Sequence, residues 1–466
     1  MSELCFMSAR ELARLIHARR VSAREVMTAH LERIARYNPT LNAIVARLPD
    51  ERCLALADAA DNRASPRSWG AQVEEGSLGA LHGLPVAFKD TEAAVGFPCT
   101  QGWPVFRDVM PTADSVVVAR LRAAGAIPIG KSNVPEFAMG SHTFNDVYGT
   151  TRNPYDVTKT AGGSTGGGAV AVATGMLPFA DGSDLGGSLR NPANYNNIVG
   201  FRPSMGIVPP EPGGPSFGFS VRGPLARDVD DVGWILSVMA DTPALAVIPE
   251  RRFAGVRIAW CPDLGGLPLA GQVRDVLEAQ RVTFEGLGCV VESACPDFAG
   301  AEDIFLTIRR RRSWDTFGPL LAAHRQAIKP EAVAEIESGA GITDGDVAAA
   351  IAAHEVFRTR VQQFQAGYPF LACAVSQLPP FDAALRWPGE IAGVAMDSYI
   401  SWMKSAYLIS ATHCPAISVP AGFTPGGLPV GIQLVGRSGD DIGVLQLARE
   451  FERATGVGRR RPSPPV

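Results

Sequence analysis

Apolar residues recur at helical spacing near the start of the chain, as Leu12, Leu15 and Ile16 and then as Met27, Leu31 and Ile34, each set forming one face of an amphipathic helix. Ser8 with Glu11, and Ser22 with Glu25, stand where these runs begin, with the spacing of a capping box. A third helical stretch is expected over about 50–61, after which DNRASPRSWGAQVEEGS is rich in the proline, glycine, serine and charge of a solvated loop. The pattern then changes to a continuous apolar run, Leu84-Pro85-Val86-Ala87-Phe88, short enough for a buried strand. A helix over 115–124, stopped by Gly125, and a strand over 126–129 follow, a helix–strand unit of α/β type.

Past about residue 240 the pattern weakens. VRIAWC (256–261) and CVVESA (289–294) read as strands, 272–286 as a helix, and an Ala- and Arg-rich stretch to about 366 as helical. Strand-like text returns in FLACAVSQLPPF, PAISVP and GLPVGIQLVG, and 441–454 reads as a closing helix. No internal repeat or low-complexity segment interrupts it. No apolar run has the length of a membrane span and the first seven residues lack a basic-then-apolar signal, so a cytoplasmic location is expected.

Composition adds little to this and charge excludes one class. The 466 residues are 46% hydrophobic and 19% charged, enough for a large core. A net charge of −4 gives no electrostatic case for nucleic acid, which demands concentrated Lys and Arg. The dense basic run, Arg309 to Arg312, reads as a solvated helix face, with an anionic substrate or a partner surface as alternatives. The eight cysteines are scattered without Cys-x-x-Cys or Cys/His ligand spacing, which predicts reduced thiols and no structural zinc.

The candidate chemistry lies in 160–206, TAGGSTGGGAVAVATGMLPFADGSDLGGSLRNPANYNNIVGFRPSMG, where glycines and small residues crowd around Ser164 and Ser188. A phosphate cradle requires Gly-Lys-Ser/Thr or G-x-G-x-x-G in register, and neither fits these glycines. Gly162-Gly163-Ser164-Thr165-Gly166 does spell G-x-S-x-G, a nucleophile elbow that then needs an acid and a histidine downstream; His324, His354 and His413 are available, but none stands in a turn beside an acid. A different clue is Lys89, which ends the apolar run. A lysine is almost never left unpaired inside a protein, so something must use it.

From end to end this block resembles the amidase signature: GGS[ST]GG, a small-residue run, G-[ST]-D-x-GGS-x-R-x-P-A, and G-[FL]-[KR]-P-[ST]. The resemblance continues in GLPVAFKD (83–90), GKSNVPEFAMGS (130–141), TRNPYD (151–156) and PAISVPAGF…GLPVGIQLVG (415–436), covering about 65 to 460. It implies one α/β/α unit across 1–466, a mixed central sheet wrapped by helices. Within it, 1–65 would be an N-terminal helical segment, 66–240 the catalytic core, 241–400 a variable, mainly helical substrate-side region, and 401–466 strands and a helix returning to the core. It further implies Ser188 as nucleophile, Ser164 as bridging serine after a cis peptide bond from Gly163, and Lys89 as base. The backbone N–H groups of Leu185, Gly186, Gly187 and Ser188 would receive the oxyanion. Thr165, Asp184 and Arg190 would support the loop, and Met139 and Gly140 would wall the substrate pocket.

The chemistry is coherent on its own terms. A neutral lysine can take a proton from Ser164 while Ser164 takes one from Ser188, and desolvation at the end of an apolar strand is the force that would neutralise the lysine. No metal or cofactor is expected. The resemblance points to a small-molecule amide, anilide or carbamate as substrate, with esterase activity as a side reaction, in a monomer or homodimer independent of nucleic acid and membrane. Its alternative is a glutamine-hydrolysing component of a tRNA-dependent amidotransferase. Asn196-Asn197 departs from the Cys-Gly or Ser-Gly of many members, so no single member's substrate carries over; substrate choice is expected to reside in about 300–400 and around Met139.

Overall fold

The computed structural model describes residues 3–64, 78–212 and 217–463. Most of the loop expected after residue 61 falls outside these, while its first residues complete the helix Asp50–Ala64. At the opening helices, Ser22 and Glu25 form a reciprocal capping box on Ala23–Leu41. Ser8 caps only one way, because the Glu11 carboxylate turns to Arg14 at 2.7 and 2.8 Å.

The strands are β1 (Ile44–Val45), β2 (Pro85–Lys89), β3 (Ile127–Ser132), β4 (Phe179–Asp184), β5 (Val199–Arg202), β6 (Val221–Ala226), β7 (Arg257–Trp260), β8 (Val290–Ser293), β9 (Phe370–Ala374), β10 (Glu390–Ile391), β11 (Val394–Ala395), β12 (Ala416–Phe423) and β13 (Pro429–Val435). Eight of them form one sheet in the order β4-β6-β5-β12-β13-β9-β7-β8. Its pairings run antiparallel from β4 to β9 and parallel through β9, β7 and β8. The sheet is therefore mixed, and the hairpin β12–β13 at its centre joins the signature half of the chain to the variable half.

A smaller sheet, β1-β3-β2, lies alongside. There β2, buried along its whole length, sends the Lys89 backbone N–H to the Asp181 carboxylate of β4 at 3.2 Å. The helix Gly166–Ala173 packs close to β3: a Cβ on Gly167 would lie 2.3 Å from the Asn133 amide nitrogen and 2.4 Å from the Ala43 carbonyl oxygen. Glycine is required there by contact.

Apolar faces of the sheet and outer helices meet in a large core that includes Phe88, Phe201, Ile258, Ile432 and Phe451. A second core, around Trp103, Tyr195, Phe305, Tyr407 and Trp402, lies on the side covered by Ala301–His324, Pro330–Glu337 and Asp344–Gly367. Two expectations need correction. The helix expected over 272–286 is two, Gly271–Glu278 and Arg281–Gly286. Cys261 and Cys295 are disulfide-bonded, their Cα atoms 5.4 Å apart. Each stands just past the end of one of the adjacent parallel strands β7 and β8, a proximity made by the fold and invisible in their spacing along the chain; the other six cysteines are free.

Candidate active site

Strand β4 ends at Asp184, the chain turns through 185–189, and the helix Arg190–Tyr195 begins. Asp184 organises this turn. Its carboxylate accepts the backbone N–H groups of Gly187 at 2.8 Å and Leu189 at 3.2 Å, and the Arg190 guanidinium at 2.8 and 3.0 Å. Arg202 approaches from β5 at 3.4 Å. Burial opposes ionisation of Asp184, but the two guanidiniums and these hydrogen bonds outweigh it and hold the carboxyl well below the usual range. Arg190 is itself tied to Gln433 of β13 at 2.5 Å and to Ser410 and the Ala406 carbonyl at 2.8 and 3.0 Å.

Gly187 has φ +111°, and a Cβ there would stand 2.5 Å from the Ala406 Cβ. Its N–H is spent on Asp184, which corrects the expectation that four successive N–H groups converge on an oxyanion. Those of Leu185, Gly186 and Ser188 make no hydrogen bond among the described residues, leaving three donors along the turn. Thr165 supports the loop through its main chain, whose N–H donates to the Ser188 carbonyl at 3.2 Å. Its buried hydroxyl has no partner among the described residues.

The peptide bond from Gly163 to Ser164 is cis. Both carbonyls before Ser164 are held: Ser141 donates to Gly163 and Thr143 to Gly162, each at 2.8 Å. Ser141 in turn accepts from Asn191 at 3.0 Å, and Asn191 accepts from Ser376 at 2.9 Å.

Lys89 is fully buried. Its Nζ lies 2.9 Å from Ser164 Oγ and 2.9 Å from Ser183 Oγ, with the Ser183 carbonyl at 3.4 Å. Desolvation lowers its pKa to about 8 against the opposing fields of Glu92, Asp181 and Asp184. Burial, reinforced by Glu92, pushes Asp181 up to about 7. Ser188 and Ser164 line one cavity of ≈ 220 Å³, though no hydrogen bond joins their hydroxyls here. Met139 and Gly140 line it too, and the Met139 carbonyl is fixed by Lys329 Nζ at 2.9 Å.

The histidines of the alternative elbow are elsewhere. His354 and His413 bond the carbonyls of Ala411 and Gly218 at 2.7 and 3.1 Å, while His324 packs edge-on against Trp103. Asn196 and Asn197 also serve structure, bonding backbone carbonyls of 161 and 192 and of 457 and 460 at 2.7 to 3.1 Å.

Sequence reasoning missed Ser183, Asp181, Arg202, Ser410 and Gln433. Ser183 carried a signal, since it is one residue before the organising aspartate on a strand. From the variable region, Arg309, Arg312, Ser313, Thr316 and Phe317 reach the cavity.

The site thus brings together a buried lysine bonded to one serine and a second serine on an adjacent glycine turn. The family pattern described as Amidase matches residues 25–445. The chain belongs to the amidase-signature family and is an enzyme of amide C–N bonds. It is 31% identical over 477 residues to an acylamidase of Rhodococcus erythropolis, covering 99% of this chain and 98% of that protein. It is also 31% identical over 496 residues to a glutamyl-tRNA(Gln) amidotransferase subunit of Azoarcus sp. (strain BH72), covering 98% and 99%. Among solved structures, a bacterial aryl acylamidase of the amidase-signature family superposes with a TM-score of 0.87 at 25% identity, over 98% of this chain and 99% of that one. No helix among the described residues is long and apolar enough to cross a membrane.

Proposed function

We propose that the chain hydrolyses the C–N bond of small amides, anilides or carbamates through an acyl-enzyme on Ser188, with Ser164 relaying the proton and Lys89 as base. The observation that carries this is the 2.9 Å contact of a fully buried Lys89 with Ser164, which lines a cavity together with Ser188. Ser188 Oγ attacks the carbonyl carbon. Its proton passes to Ser164 as the Ser164 proton passes to Lys89, and the free N–H groups of the turn receive the oxyanion. Collapse breaks the C–N bond, and the Lys89 ammonium returns the proton to the departing nitrogen. Water then cleaves the acyl ester through the same relay. The relay needs a hydrogen bond from Ser188 to Ser164, and catalytic hydrogen bonds often close only when substrate binds.

A fluorophosphonate probe with peptide mapping tests the reading. The adduct is expected on Ser188 and lost in Ser188→Ala; an adduct on Ser164 would reverse the two serines. A second reading, the glutamine-hydrolysing component of an amidotransferase, is favoured by relatives named as glutamyl-tRNA(Gln) amidotransferase subunits. Ammonia release from glutamine exceeding turnover of anilides, aliphatic amides and carbamates would select it.

A further inference from the structure

The helix Ala301–His324 carries all four consecutive arginines, and its pitch sorts them. Arg309 and Arg312, three apart and so on one face, line the cavity with Ser188. Arg311 points away to Asp315 and Asp344 at 2.8 and 2.7 Å. Arg309 is neutralised, with Nε 2.8 Å from Glu335 and an Nη 2.5 Å from the Tyr399 hydroxyl. Arg312 is not. Among the described residues no carboxylate, carbonyl or hydroxyl bonds it. It is only partly exposed and rests against Gly218, where an added Cβ would lie 3.3 Å from its Nη1.

The charge that bears on Arg312 is another cation. Arg222 stands near enough to act with burial in lowering the Arg312 pKa, and Arg222 is itself committed to Glu92 and Glu211 at 2.9 and 3.3 Å. The cavity lining contains no Asp or Glu among the described residues, while Ser220, Ser313 and Thr316 add hydroxyls. A partly desolvated guanidinium without a counter-ion is unfavourable, and its fork matches a carboxylate.

We propose that the substrate is a carboxylate-bearing amide whose carboxylate seats on Arg312 while its carbonyl meets Ser188, a reading that rests on the Ser188 assignment above. The lining complements one negative charge and no ammonium. Zwitterionic glutamine satisfies the first and leaves its α-ammonium facing a wall without a described carboxylate, so a monoamide of a dicarboxylic acid fits better.

The test compares N-(4-nitrophenyl)succinamic acid with its neutral methyl ester, following nitroaniline release by wild type, Arg312→Met and Arg312→Lys. Losing hydrogen bonds to a charged group costs roughly 10- to 100-fold. Wild type is expected to prefer the acid by about that factor, through KM more than kcat. The preference should collapse in Arg312→Met and return in part in Arg312→Lys, which keeps the charge without the fork. Calorimetric titration of the Ser188→Ala protein with glutaramate gives a readout without turnover: binding is expected, and its loss with Arg312→Met added. Equal wild-type turnover of acid and ester, or an undiminished preference in Arg312→Met, overturns the proposal, as does a Ser188→Ala protein that binds no glutaramate when the wild type labels on Ser188. Absence of probe labelling with intact glutaramate binding strikes the Ser188 reading alone.

Discussion

If Lys89 is the base, replacing it should remove both the rate and a particular pH limb. An amine at the ordinary lysine value of 10.5 is neutral at pH 7 in about one molecule in three thousand, whereas at a pKa of about 8 it is neutral in about one in eleven. Burial therefore raises the active population roughly 300-fold at neutrality. The sign follows from the lowered value: activity rises with pH and levels off above about 8. The assay is kcat/KM against a neutral anilide from pH 5 to 10. Lys89→Met, of similar length without a basic group, should lower it by roughly 10²- to 10⁴-fold. Lys89→Arg should be nearly as damaging, since guanidinium stays charged. An activated ester, with a leaving group that needs little proton delivery, should suffer less. Glu92, Asp181, Asp184 and Arg222 all act on this amine, and Asp181, pushed to about 7, can add a second ionisation that Asp181→Asn should remove. Wild-type anilide turnover in Lys89→Met, with the limb unchanged, would reduce Lys89 to a structural cation.

Asp184→Asn strands two buried guanidiniums and should cost about 3–5 kcal/mol, read from the urea midpoint; a loss below about 1 kcal/mol would show that Gln433 and Ser410 suffice. Because the folded pKa is depressed, this contribution is complete above the unfolded value near ~4 and is lost only as pH falls through the folded value in strong acid, so wild type should show no step from this group between about pH 5 and 7. Gly187→Ala drives a methyl into Ala406 and should lower kcat by about 100-fold or more through misplacement of Ser188; near-wild-type kcat would show the turn to be tolerant. Incubation with EDTA should leave turnover unchanged, since no cluster of three or more His, Cys, Asp or Glu among the described residues could hold a metal; loss restored by zinc or manganese would contradict it.

The signature half was legible because its chemistry is local. Strand, turn and helix from 179 to 195 follow one another in the sequence, so the motif whose resemblance to the amidase signature singles out Asp184, Ser188 and Arg190 lies in one unbroken block. The oddity of a lysine ending an apolar run exposed Lys89. What spacing could not show was contact across the fold: Gln433 and Ser410 under Arg190, Cys261 beside Cys295, and the Gly187 N–H turned toward its own aspartate. The four arginines show the boundary most sharply. Their run spells a basic helix with a choice of readings, and only the angular position of each residue around the helix separated the two that face the cavity from Arg311, which pairs outside it.

The Arg190 clamp also sets a timetable for biosynthesis. Its partners Ser410 and Gln433 lie 220 and 243 positions later in the chain, and β5 waits equally long for β12. At about 5–20 residues per second, the loop bearing Ser188 leaves the ribosome roughly 12 to 50 s before the groups that fix it. During that interval Arg190 lacks these two partners, and the edge of β5 stands open as a pairing template. The loop that bears Ser188 is thus fully clamped only once Gln433 has emerged.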